Sequence, residues 1–301
     1  MILVGCFAAI AYHSHEAICS VKINLDDLWI PAMTALRRGY VFAGFGVNAS
    51  DHPDIQDFHL PLLFKRSPVP FSVSAEVLAQ YKQDFRAWIL GNAFREIVIG
   101  LEVSLNRAFQ VCCLARQKTQ QRIASRKEAR EFNYAGVDRK LEILERDFSV
   151  AIPERPFIAS LNKARNCLSH RSGFVSPPDC TESEHVPEKL VLLFTRFEIV
   201  VTSDGSRESI VPHDAIAPVQ LEPGGTLQLR HVEVRKEFNL GTVINLDPAD
   251  IRDIVHTVEL TIAELRKKII GYFTRQGIVV KEPPPLPERQ GARSGGPFGA
   301  D

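Results

Sequence analysis

The chain has no surplus of either charge: 36 Lys and Arg stand against 36 Asp and Glu over 301 residues. An overall positive field of the kind that announces a nucleic-acid-binding protein is excluded, so any basic surface has to be local. No two of the six cysteines, at positions 6, 19, 112, 113, 167 and 180, have Cys-x-x-Cys spacing. A chain of this length can build a core without disulfides, and a reduced, cytoplasmic setting is expected. The first twelve residues, MILVGCFAAIAY, are apolar, but no Lys or Arg precedes them and they fall short of the about 18 needed for a membrane span. No membrane association is expected. Gly44-Phe-Gly46 lacks the third glycine and the following helix start of a nucleotide-binding loop. No internal repeat is found.

What is present is an average globular composition, 45% apolar and 24% charged. Prolines 31, 53, 61, 68 and 70 and glycines 39, 44 and 46 interrupt residues 21–70, where only short elements are predicted. From Ser74, apolar residues such as Val77, Tyr81, Phe85, Trp88, Phe94, Ile97, Leu101, Leu105 and Phe109 recur every three or four residues. They predict one long helix with weak points at Gly91 and Gly100. A polar, basic helix broken near Gly136 should follow, and a third should begin at Phe157 and end at Gly173, a good left-handed cap. KLVLLF, FEIVVT, ESIVP, TLQLRHVEVR and TVINL read as strands of a small antiparallel sheet, with a hairpin turn at Asp204–Ser206. Asp247-Pro248 then opens a final helix up to Gly271.

The expected fold is therefore α+β, a mainly helical bundle with a small antiparallel sheet between the third and final helices. Its parts are an N-terminal segment 1–75 with no assigned role, a helical domain 76–187 and a β region 188–246. A C-terminal helix 247–280 packs back on the bundle, and 281–301 is a Pro/Gly-rich disordered tail.

Chemistry concentrates in Arg165-Asn166-Cys167-Leu168-Ser169-His170. At ~100° per residue, Phe157, Leu161, Ala164 and Leu168 share one helix face, while Asn162, Arg165, Asn166, Ser169 and His170 span a wedge of ~140° on the other. Histidine can take and give a proton near neutrality. A fixed guanidinium can hold a phosphate and stabilise charge that grows on it. Together they suffice for metal-free RNA cleavage by 2′-hydroxyl attack, and no carboxylate cluster is present to hold magnesium. The bland reading is the polar face of any amphipathic helix. Arg207 and His213 repeat a similar Arg-to-His spacing inside the predicted sheet, where no helix supports it.

ARNCLSHRSG resembles the motif of the HEPN superfamily, helical proteins of toxin, antiviral and RNA-processing systems, in which Arg is followed after four to six residues by His. The likeness to a poorly characterised bacterial group extends over about residues 76–275. It implies a bundle that dimerises so that two Arg/His sets face one cleft. His170 would be the proton-transfer residue, Arg165 the phosphate holder and Asn166 the residue positioning one of them, with RNA as substrate and no cofactor. An antitoxin or regulatory protein is a further implied partner. An acidic helper from the preceding helix is left open between Glu96 and Glu102. The alternative is a catalytically silent HEPN-like module for protein interaction or RNA binding.

Three further features carry competing readings. Cys167, His170, Cys180 and His185 supply four zinc-ligand types, but Cys167 lies ~60° around the helix from His170 and prolines intervene, so zinc is expected to be absent. The basic segment Arg116–Arg146 could follow an RNA backbone or simply be a solvated helix face, given Glu128, Glu131, Glu142 and Glu145 within it. Cys112, Cys113, Trp29 and Trp88 are expected to fill core.

Overall fold

The computed structural model describes residues 25–53, 73–120, 124–180, 189–202, 208–211 and 225–280. The helices are α1 (Leu25–Asp51), α2 (Ala75–Gln120), α3 (Arg126–Tyr134), α4 (Val137–Phe148), α5 (Arg155–His170) and α6 (Pro248–Arg275). A three-stranded antiparallel sheet has the order β2-β1-β3, with β1 at Lys189–Thr202, β2 at Glu208–Val211 and β3 at Thr226–Asn239. The fold is α+β and mainly helical. The hairpin turn, the Arg207/His213 pair, His185 and the tail lie outside the described residues.

The largest departure from expectation is α1, 27 residues of helix where only short elements were predicted. Two of its three glycines, Gly39 and Gly46, are contact points rather than breaks. A Cβ on Gly39 would meet Ile97 at 2.9 Å, and one on Gly46 would meet Ile89 at 2.5 Å. On the opposite helix, a Cβ on Gly100 would stand 3.0 Å from the Ala32 carbonyl oxygen. Small residues on both sides let α1 and α2 approach closely and bury Ala32, Leu36, Ala93 and Ile97. Pro31 lies inside the helix.

α2 runs for 46 residues, about 69 Å, past the predicted weak points. Among the described residues it is the one helix long and apolar enough to cross a membrane, yet 56% of its most apolar window is buried within the protein. Around it the chain packs a continuous core that includes Leu101, Leu105, Leu161, Ile254 and Leu265. The break at Gly136 separates α3 from α4 as expected. Asp247 caps α6, accepting from the Asp250 amide, while the Asp250 side chain accepts from the Asp247 amide.

KLVLLF and FEIVVT form one strand, β1, paired with β3 from Lys189 opposite Asn239 to Thr202 opposite Thr226. β2 covers only the far end of β1, from Ile199 to Thr202. Elsewhere on that edge two hydroxyls replace strand partners. Ser160 of α5 accepts from the Leu193 amide at 2.9 Å, and Thr257 of α6 accepts from the Thr195 amide at 2.8 Å. Those bonds dock the sheet edge-on against the helices. TVINL is not a strand of this sheet. It runs beside the chain leaving α5, with a single bridge between Phe174 and Val243.

Candidate functional site

α5 starts with Pro156 in its first turn and buries Ile158, Leu161, Ala164 and Cys167. Those residues recur at three-residue steps, and α5 packs on β1, α2 and α4, which turns the motif's polar side outward. The helix ends at His170, three residues before the expected Gly173. The Gly173 amide donates back to the Cys167 carbonyl at 3.2 Å, and Gly173 has a φ of 83°, the left-handed region that glycine enters without strain. The Val175 amide donates to the Thr242 carbonyl and the Ile244 amide to the Gly173 carbonyl, both at 2.9 Å, which pins this exit.

α5 lies antiparallel to α2, with Leu168 against Gly91 and Arg165 reaching Glu102. Arg165 Nη2 donates to Glu102 Oε2 at 3.0 Å, and Nη1 donates to Asn166 Oδ1 at 3.0 Å. Lys140 of α4 donates from Nζ to Glu102 Oε1 at 2.6 Å and lies 5.8 Å from the centre of the Phe132 ring. Its side chain is 1% exposed. One carboxylate thus faces two cations, and the trio keeps one net positive charge. Of the two glutamates left open, Glu102 is the one that pairs with Arg165, whereas Glu96 pairs with Arg38 of α1. Arg165 is partly exposed, and its Nε is buried with no partner among the described residues.

His170 stands exposed at the last position of α5, with no bonded partner among the described residues. The structure therefore joins Arg165 to Asn166 directly and leaves His170 exposed at the helix end, without a bond to either. Lys140 was missed because lysine ordinarily belongs to solvent. The sequence signal was its position, three residues after Val137 and four before Leu144, inside the apolar stripe of α4.

Next to His170, Arg171 closes a second pair. Its Nε donates to Asp179 Oδ2 at 2.8 Å and its Nη2 to Oδ1. The Ser176 amide and hydroxyl donate to Asp179 Oδ2 as well, at 3.0 and 2.8 Å. Burial alone would raise the Asp179 pKa, but these donors hold it below the ordinary carboxylate range. Asp179 is 1% exposed.

The zinc set is not assembled among the described residues, which contain no group of three or more His, Cys, Asp or Glu able to hold a metal. Cys167 is buried and donates its thiol to the Phe174 carbonyl at 3.2 Å, while His170 points to solvent. Burial pushes the Cys167 thiol up to about 11, so it remains protonated near neutrality. Cys180 is buried against the Ser176 carbonyl.

Part of the basic segment is neutralised locally: Arg139 pairs with Glu131 and Glu142, Arg116 with Glu128, and Arg146 with Asp147. Cys112 and Trp29 are buried as expected, and Cys113 is half-buried. Trp88 is not core: it is 62% exposed on α2, because the face of α2 it occupies lies between α1 and α5 and meets neither. No family model, curated protein or solved structure matches the chain.

Proposed function

We propose that the protein is a metal-independent endoribonuclease of the HEPN type that cuts single-stranded RNA. The observation that carries this reading is the Arg165–Asn166–Glu102–Lys140 network beside an exposed, unpartnered His170. His170 takes the proton of the 2′-hydroxyl as that oxygen attacks the adjacent phosphorus, the bond to the 5′-oxygen breaks, and the departing 5′-oxygen takes a proton from water. The products are a 2′,3′-cyclic phosphate and a 5′-hydroxyl end. Arg165 holds the phosphate and stabilises the charge that builds on its oxygens. Asn166 accepts from Arg165 and fixes its plane. Lys140 offsets the Glu102 charge, so Arg165 is oriented by a carboxylate without the site losing its attraction for an anion.

One Arg165/His170 set offers half a cleft, and a homodimer supplies the other half. Exposed Ile30, Tyr40 and Val41 on α1 support a covering partner. Light scattering should then give about twice 33.7 kDa. A toxin or antiviral role, with an antitoxin or regulator as partner, extends the same reading.

A second reading, a silent binding module, is favoured by the ion pair itself: a guanidinium tied to Glu102 can serve structure alone. The test is incubation of single-stranded RNA with the protein in EDTA. Fragments ending in 2′,3′-cyclic phosphate, with DNA of the same sequence intact, are expected. Intact RNA that is nevertheless bound would favour the silent module.

A further inference from the structure

On α2, Trp88, Asn92, Arg95, Ile99 and Glu102 follow one another at three- and four-residue steps and so form one stripe. The two apolar members are exposed, Trp88 at 62% and Ile99 at 45%. Asn92 Nδ2 donates to the Trp88 carbonyl at 2.7 Å, and Arg95 donates to Asn92 Oδ1. Arg95 has no acidic partner among the described residues, unlike Arg86, which pairs with Asp51.

Two contacts set this stripe level with the motif. Leu168 packs against Gly91, which lies between Trp88 and Asn92, and Arg165 reaches Glu102 further along. The last turn of α5, with Ser169 and His170, is therefore abreast of Trp88. Arg95 lies ~10 Å along the helix axis, toward the Arg165–Glu102 pair.

We infer that Trp88 and Arg95 form a nucleotide subsite beside His170, which takes a single-stranded RNA: the indole stacks on a base and the guanidinium holds a neighbouring phosphate. An exposed aromatic face next to an unneutralised cation is the combination that single strands recognise, since every base has a face to stack and every linkage a charge. Arg95, which has no acidic partner among the described residues, favours a polyanion on this stripe, where Trp88 stays exposed although it stacks on Phe85. The inference rests on the ribonuclease reading for its RNA ligand, but binding and cleavage can be measured apart.

The chain has two tryptophans, Trp29 and Trp88, and Trp29 is 5% exposed. Tryptophan emission of the full-length protein is followed as a mixed-sequence 2′-O-methyl oligonucleotide of about 12 nucleotides is added. This probe has no free 2′-hydroxyl and is not consumed. Saturable quenching is expected in the wild type and should vanish in Trp88→Phe, which keeps an aromatic face and most of the affinity. Trp88→Leu, apolar but unable to stack, should bind about tenfold or more weakly. Arg95→Gln should lower the slope of log affinity against log salt by about one.

Equal affinity for wild type and Trp88→Leu would overturn the subsite, even if unmodified RNA is still cut, in which case the ribonuclease reading survives without it. Trp88-dependent binding without any cleavage would uphold the subsite and remove the ribonuclease reading. If Trp88→Leu halves the mass in light scattering while oligonucleotide affinity holds, the stripe is a contact with a second copy and the subsite is overturned.

Discussion

Two arginine–carboxylate pairs flank His170, and they are built to opposite ends. Arg171–Asp179 is local and closed: Asp179 is 1% exposed and receives four donated bonds, and the pair balances charge one to one. Arg165–Glu102 joins two helices 63 residues apart in sequence, stays partly open to solvent, and includes Lys140 as a second cation. The first fixes where the chain turns after the motif helix. The second ties α2, α4 and α5 together and leaves one carboxylate between two cations, with Arg165 still partly exposed. An arginine–carboxylate pair is thus a closed clamp in one place and a partly open, two-cation network in the other, and the difference lies in how many donors the carboxylate meets and how far it is buried.

The comparison breaks most sharply at Glu102. Glu102→Ala leaves the Lys140 ammonium buried without a counter-charge and should cost about 3–5 kcal/mol in urea denaturation. Adding Lys140→Met should restore most of that loss, because the double variant removes both charges from the interior. If the single variant is as stable as wild type, Lys140 does not depend on Glu102 and the open pair is not a network.

The clamp should give way less. Arg171→Ala removes two of the four donors to Asp179 but leaves Ser176, so a loss of about 2–3 kcal/mol is expected from thermal or urea unfolding. Acid should act on the same group. A carboxyl held below its ordinary pKa stabilises the fold in full above the unfolded value of about 4, and that contribution fades as the pH falls through the lowered value. The melting temperature of the wild type should therefore drop more than that of Asp179→Asn between about pH 5 and about pH 3. Parallel drops in the two proteins would show that Asp179 is not the titrating group.

The helix that carries the motif could be read from residue order more readily than either ion pair. Pro156, the apolar period of α5 and the glycine at 173 are local signals, and the Asp247–Asp250 cap of α6 is equally local. α1 was concealed because Gly39 and Gly46 carry the same letters whether they bend a chain or admit a neighbouring helix. With α1 unrecognised, Arg38 was not available to claim Glu96, and the choice of Glu102 as the partner of Arg165 stayed open. Trp88 was misplaced for a related reason: periodicity marks an apolar face, but only the packing of α1 and α5 on either side decides which apolar residues of α2 are left in solvent. The place of the last predicted strand, TVINL, was likewise settled by tertiary contact with residues 173–175 rather than by strand propensity.

The most direct test of the open site compares wild type with His170→Ala on single-stranded RNA in EDTA, together with their melting temperatures. His170 is exposed and bonded to nothing among the described residues, so its truncation leaves no cavity and no orphaned partner. Cleavage should fall by about a hundredfold or more while the melting temperature is unchanged. Equal cleavage by the variant, or a variant that no longer folds, would contradict a catalytic role for His170.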